Sequence, residues 1–361
     1  MIAAFPAPPA LLTDLVAAGW GGLAAWDRTP TGHHRAGRRT DPRPDRSHPM
    51  SDLAARPAPA EPPATGRTGV ALVVNPLRIS DVDRLTAGIT HRCAEHHLPP
   101  PVVLSTSAAD PGRGPTRQAV GDGAGLVLAA GGDGTVRAVA EGLVGTGVPL
   151  GVLPLGTGNL LARNLGLPMS LREAVRTALT GADRIIDVGR LEDGTVFAIM
   201  AGVGLDAAMM RAAPEQLKVA LGWLAYAVGG LRSMRRARLE VDLRLDGEPP
   251  LRAQARTVLV GNVGRLHAGL ELAPDARPDD GVLDVVLVCP RRVADWLILL
   301  ARALTHRRRS DHRMSRYQAR HVEVRLLEPQ PRQVDGELLD SAPRLVARVE
   351  PRALVVRVPR T

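Results

Sequence analysis

The chain has 361 residues, 45% hydrophobic and 23% charged, with a formal net charge of +9. These figures suit a globular protein of about two domains and exclude a wholly disordered chain, a collagen-like fibre and a small disulfide scaffold. The positive charge is almost all arginine, with Lys218 the one lysine, and aromatic residues make up only 2%. Without aromatic-basic interleaving, no nucleic-acid partner is expected; nucleotide phosphates and acidic membrane surfaces suit the charge better.

Residues 1–67 are expected to be a disordered or non-native extension. The mildly apolar stretch 3–25 is broken by Pro6, Pro8, Pro9 and Asp14 and lacks the basic start of a signal peptide. Residues 29–68 are rich in Pro, Arg, Ala and Asp without apolar periodicity, and a translation start at Met50 would lose nothing expected to fold. No apolar run approaches the roughly 20 residues that span a bilayer.

Order begins at Gly69. The apolar run 70–74 predicts a buried strand ended by Asn75-Pro76, and Val82, Leu85, Ile89 and Cys93 have helical spacing over 81–97. A second strand follows at 102–104, a helical patch begins at Gln118, and a third buried strand at 126–130 runs into Gly131-Gly-Asp-Gly-Thr135. A helix over 136–143, a strand over 150–153 and a helix from 160 to 165 complete an alternation that implies a parallel α/β sheet over 68–187. From 188 to 361 the pattern turns mainly β. Strands are predicted at 196–200, 238–245, 257–260, 283–288, 321–327 and 345–358, with helices at 215–234 and 292–306. The last residues are expected to pack back on the first domain. Cys93 and Cys289 form neither a metal-ligand spacing nor a disulfide framework, so buried thiols are expected.

Two glycine-rich turns carry the chemistry. Gly131, Gly132, Asp133, Gly134 and Thr135 lie between a strand and a helix, where backbone N–H groups and the helix dipole favour phosphate. Leu153-Pro-Leu-Gly-Thr-Gly-Asn159 sits the same way on a neighbouring strand, so both turns line one carboxyl-end crevice. Asp133 offers a carboxylate for Mg²⁺ or a proton, Thr157 a hydroxyl, and Asn159 an amide or a helix cap. There is no P-loop, dinucleotide fingerprint, GxSxG or HExxH.

Val73-Val-Asn-Pro76, Gly131-Gly-Asp-Gly-Thr135, Leu155-Gly-Thr-Gly-Asn159, Ile186-Asp-Val-Gly189, Ala201-Gly-Val-Gly-Leu-Asp206, Asp279-Asp-Gly281 and Val334-Asp-Gly-Glu337 occur in the order found in one family. In these motifs the chain resembles the diacylglycerol kinase catalytic-domain family, the bacterial lipid kinases related to sphingosine and ceramide kinases. The resemblance implies a three-layer α/β nucleotide-binding domain, like that of phosphofructokinases and NAD kinases, joined to a β-sandwich lipid-substrate domain. ATP would lie between them, held by Asn75, Thr106, Gly131, Gly132, Asp133, Gly134, Thr135, Val136, Arg137, Gly156, Thr157, Gly158 and Asn159. It further implies Glu337 as proton acceptor, with Asp133 as the competing choice, and a structural Mg²⁺ on Asp280 and the backbone oxygens near Arg277 and Val282. One departure is the bulky turn Leu77-Arg78-Ile79-Ser80, where the family has a small residue and glycine; this weakens Asn75 as a phosphate contact.

The implied activity is ATP- and Mg²⁺-dependent phosphorylation of a lipid hydroxyl, foremost diacylglycerol to phosphatidic acid, as in phospholipid biosynthesis. Alternatives are a sphingoid-base or other lipid-alcohol kinase, or a non-catalytic nucleotide- or lipid-binding homologue. The lipid substrate implies peripheral contact with the inner face of the membrane from the cytoplasm. The helices at 217–234 and 292–306 end in arginine clusters; core-facing helices whose basic ends complement their dipoles are the favoured reading, with one of the two as a membrane contact the alternative. A homodimer remains open, since a two-fold interface leaves no mark in one chain.

Overall fold

The structure is a computed structural model and describes residues 68–204, 238–264, 273–290, 295 and 313–360. The extension 1–67 and the helix expected at 215–234 lie outside the described residues, as does the helix expected at 292–306 apart from Asp295.

The first half alternates strands and helices. In chain order these are β1 (Gly69–Val74), α1 (Val82–Glu95), β2 (Val102–Ser105), α2 (Arg113–Gly121), β3 (Ala124–Gly131), α3 (Asp133–Leu143), β4 (Leu150–Pro154), α4 (Leu160–Asn164) and α5 (Leu171–Thr180). Strands β4, β3, β1 and β2 are adjacent in that order and all parallel. Val70, Leu72 and Val74 of β1 join a core with Ile89 and Cys93 of α1 and Ala174 and Ala178 of α5. Ala71 and Val73 join another with Ala119 of α2 and Val136 and Val139 of α3. Burial on both faces is why this strand reads as a continuous apolar run, and the result is three layers.

The second half is β-rich: β5 (Ala182–Leu191), β6 (Val196–Phe197), β7 (Met200–Gly204), β8 (Leu239–Leu245), β9 (Leu251–Ala255), β10 (Thr257–Gly261), β11 (Leu283–Val288), β12 (Met314–Ala319), β13 (His321–Val334) and β14 (Glu337–Val358). Antiparallel pairs run β7–β10–β11–β12, and β13 pairs with β7, β8 and β14. Val203, Val241, Leu243, Val258, Leu283, Val322, Val324 and Leu345 form the core of this β-sandwich. Strand β14 pairs first with β13, then with β5, and near its end places Val356 beside Leu150 of β4 in parallel.

Several elements differ from the sequence reading. Helix α2 begins at Arg113, five residues ahead of Gln118, and α5, β5, β9 and β12 were not anticipated. The strand expected at 196–200 is two strands, β6 and β7. Between them the N–H groups of Ala198, Ile199 and Met200 all donate to the Asp335 carboxylate, at 3.0, 3.0 and 2.7 Å. A side chain has taken the amides that a continuous ladder would have used.

Candidate functional site

The carboxyl ends of the four parallel strands gather most of the residues singled out from sequence, at the edge where α/β sheets bind ligands. After β1, Asn75 donates its N–H to Ala130 O at 3.1 Å. Its side chain donates to Thr135 Oγ1 at 3.4 Å and accepts from Leu77 N–H at 3.0 Å. The bulky turn thus leaves Asn75 tied to the first glycine loop, while Leu77 points into solvent. After β2, buried Thr106 donates its N–H to Val74 O at 2.9 Å. β3 ends at Gly131, and Gly132 is the N-cap of α3.

A glycine cap supplies no side chain, so the first-turn N–H groups of α3 need another acceptor. Asp133, the first residue of α3, turns its carboxylate to the start of α4 instead. Its Oδ2 accepts from Asn159 N–H at 3.0 Å and its Oδ1 from Leu160 N–H at 2.6 Å. Asn159 has a left-handed backbone (φ 48°) and folds its amide back on the second loop. Its Oδ1 accepts from Gly156 N–H at 3.0 Å and its Nδ2 donates to Gly156 O at 2.7 Å. The loops touch at their glycines: a β-carbon on Gly156 would lie 2.6 Å from Gly132 Cα. Thr157 is exposed at the loop tip, beside Gly158, whose carbonyl accepts from Arg163 Nε at 2.9 Å. The Val136 side chain belongs to the core, so of this residue only the backbone can serve a ligand.

Glu337, distant in sequence, comes to the same place at the start of β14. Its Oε2 pairs with Arg137 Nη2, and a β-carbon on Gly134 would overlap its Oε1. The carboxylate therefore lies on the first turn of α3. Arg137 has a second acid one helical turn on, Glu141, at 3.9 Å; Glu141 in turn pairs with Arg113 of α2 at 2.9 Å. The hairpin turn carrying Glu337 is held by Asp335, a buried non-glycine residue with φ 47° whose carboxylate receives the three N–H groups between β6 and β7. Burial pushes the Asp335 carboxyl up to about 6, against the pull of those hydrogen bonds and of Arg137.

The candidate metal residues lie elsewhere, in the turn before β11. Asp280 Oδ1 accepts from Val282 N–H at 3.2 Å, and burial, then Asp187 and Asp279, raise its carboxyl above the usual range. Buried Asp187 on β5 braces this turn, accepting from Gly281 N–H and Arg352 N–H, each at 2.7 Å. Among the described residues no group of three or more His, Cys, Asp or Glu could hold a metal. Asp187 and Asp279 crowd Asp280 with carboxylate oxygens, the donor type that hard cations take.

Glu141, Asp187 and Asp335 are the residues the sequence reading did not assign. Each had a signal: Glu141 stands four after Arg137, Asp187 lies between apolar Ile186 and Val188, and Asp335 sits in an Asp-Gly turn.

The architecture is an α/β domain joined to a β-sandwich, with two glycine loops and a glycine-capped helix start that faces a carboxylate from the second half. The profile of the diacylglycerol kinase catalytic domain matches residues 70–191, and that of the YegS C-terminal NAD kinase beta sandwich-like domain matches 199–358. A diacylglycerol kinase of Bacillus subtilis (strain 168) is 32% identical over 216 residues, 59% of this chain and 71% of that protein. A Klebsiella pneumoniae (strain 342) protein, named a probable YegS-like lipid kinase, is 39% identical over 161 residues, 44% of this chain and 54% of that one. The chain thus spans little more than half of some relatives, also 57% of an uncharacterized Synechocystis protein. A crystal structure of a Bacillus anthracis diacylglycerol kinase superposes with a TM-score of 0.62 at 19% identity, over 81% of this chain and 98% of that one, and so shares the fold. The chain belongs to the diacylglycerol kinase catalytic-domain family.

Proposed function

We propose that this protein is an ATP- and Mg²⁺-dependent lipid kinase that phosphorylates a lipid hydroxyl, with diacylglycerol the leading acceptor. The observation that carries the reading is the start of α3, where a glycine-capped helix and a second glycine loop meet a carboxylate from the other domain. Phosphates fit the first, and proton acceptance fits the second. The hydroxyl oxygen attacks the γ-phosphorus, the bond to the β–γ bridging oxygen breaks, ADP leaves, and the hydroxyl proton passes to Glu337. Asp133, with both oxygens engaged by backbone N–H groups, acts by holding the two loops together rather than as the base. Mg²⁺, when bound, would neutralise phosphate charge and, at Asp280, brace the turn. The proposed access to lipid is peripheral; among the described residues no helix is long and apolar enough to cross a membrane.

The test is transfer of radiolabelled γ-phosphate from ATP into a total-lipid extract, resolved by chromatography, with and without Mg²⁺. A labelled lipid that requires Mg²⁺ is expected, and its mobility names the acceptor class. ATP binding without any labelled lipid would overturn the lipid-kinase reading in favour of a non-catalytic binder or a soluble acceptor.

A further inference from the structure

Three features of the Arg137 neighbourhood belong together. Its guanidinium is largely buried, with the side chain 12% exposed, and lies between Glu141, itself 11% exposed, and Glu337, 43% exposed. Its Nε, buried, makes no hydrogen bond. The Glu337 carboxylate touches the first turn of α3 at Gly134, the turn proposed above to receive phosphate. A carboxylate over a helix start, paired with an arginine one turn along, presents the charge and hydrogen-bond acceptors that a phosphate would present there.

We infer that Glu337 and a nucleotide phosphate compete for Arg137, so that nucleotide binding transfers the arginine from Glu337 to phosphate and releases Glu337 to accept the proton. The inference rests on the nucleotide reading above and adds a coupling to it. Glu141 makes the exchange feasible, because it remains beside the guanidinium whichever partner Glu337 leaves it to, and Arg113 holds Glu141 in turn. The exposures agree: Glu141 is the less exposed partner, tied to Arg113, and Glu337 is the more exposed one that can swing away. The arrangement would keep the Glu337 carboxylate engaged by the guanidinium until phosphate arrives.

The test is ATP affinity by calorimetry, without lipid, for the full chain and for Glu337→Gln, Arg137→Ala and the double variant. Competition predicts that Glu337→Gln binds ATP about tenfold more tightly, a change typical of losing one close charge pair, while its lipid phosphorylation falls. In the Arg137→Ala background the same substitution should change affinity less than about twofold. Equal or weaker ATP binding by Glu337→Gln overturns the competition, as does a full gain that persists without the arginine. If the unaltered chain binds no ATP, the nucleotide reading fails as well; ATP binding indifferent to Glu337→Gln sinks the competition alone.

Discussion

Two glycines at the site separate what a substitution does to folding from what it does to chemistry. A β-carbon at Gly134 meets only the end of the Glu337 side chain, which can move aside, and alanine also improves helix propensity. Gly134→Ala should keep its melting temperature within a few degrees yet lose tenfold or more in turnover, because the added methyl crowds the helix start proposed to receive phosphate. Gly156→Ala instead drives a β-carbon against the Gly132 backbone, so the loops must part, with about 1–3 kcal/mol lost in a denaturant titration. Asp133 separates the same way. As a clamp on Asn159 and Leu160, its change to Asn should cost roughly 1–2 kcal/mol and raise the KM for ATP. A fall of about a hundredfold in kcat with an unchanged melting temperature would make it the base instead.

At the scale of elements, the Asp335 clamp gives β6, β7 and the β13–β14 turn a pH signature. Its carboxyl, ordinarily near 3.8, is pushed up to about 6 when folded, so between those values the folded chain holds more proton than the unfolded one. The associated stability is fully present below about pH 4 and is lost as pH rises through 6. Measured as melting temperature against pH, the unaltered chain should lose ground relative to Asp335→Asn from pH 4 to 7; parallel curves would deny Asp335 the raised value. This clamp also shows what sequence could not convey. The apolar stretch 196–200 reads as one strand, and only a carboxylate from the far end of the chain divides it. The strands buried on both faces, such as β1 and β3, were legible because their apolar runs are unbroken. Strand β5 was not, since Asp183, Arg184, Asp187 and Arg190 interrupt its pattern, and Arg184, Asp187 and Arg190 are satisfied by distant partners. The glycine loops were legible as local turn chemistry, whereas the acids around Arg137 meet only through tertiary contacts.

For the molecule as a whole, β14 matters most, because one 22-residue strand belongs to both halves. Its first part forms the hairpin with β13 that carries Glu337, and its last part pairs with β5 and reaches β4. Arg190 on β5 grips Glu350 of β14 through two bonds, at 2.5 and 2.8 Å, between those stretches. Leu354 and Val356 then bury completely in the α/β core. A strand shared this way transmits loss of packing in one half to the other, so the described body should unfold in one calorimetric transition. Leu354→Ala, a large-to-small change in that shared core, should lower stability by about 2–5 kcal/mol and move the whole transition together. Two separated transitions, with only the first displaced, would mean that the halves unfold independently. Glu337 would then owe its place to the β-sandwich hairpin alone rather than to the strand that binds it to the α/β sheet.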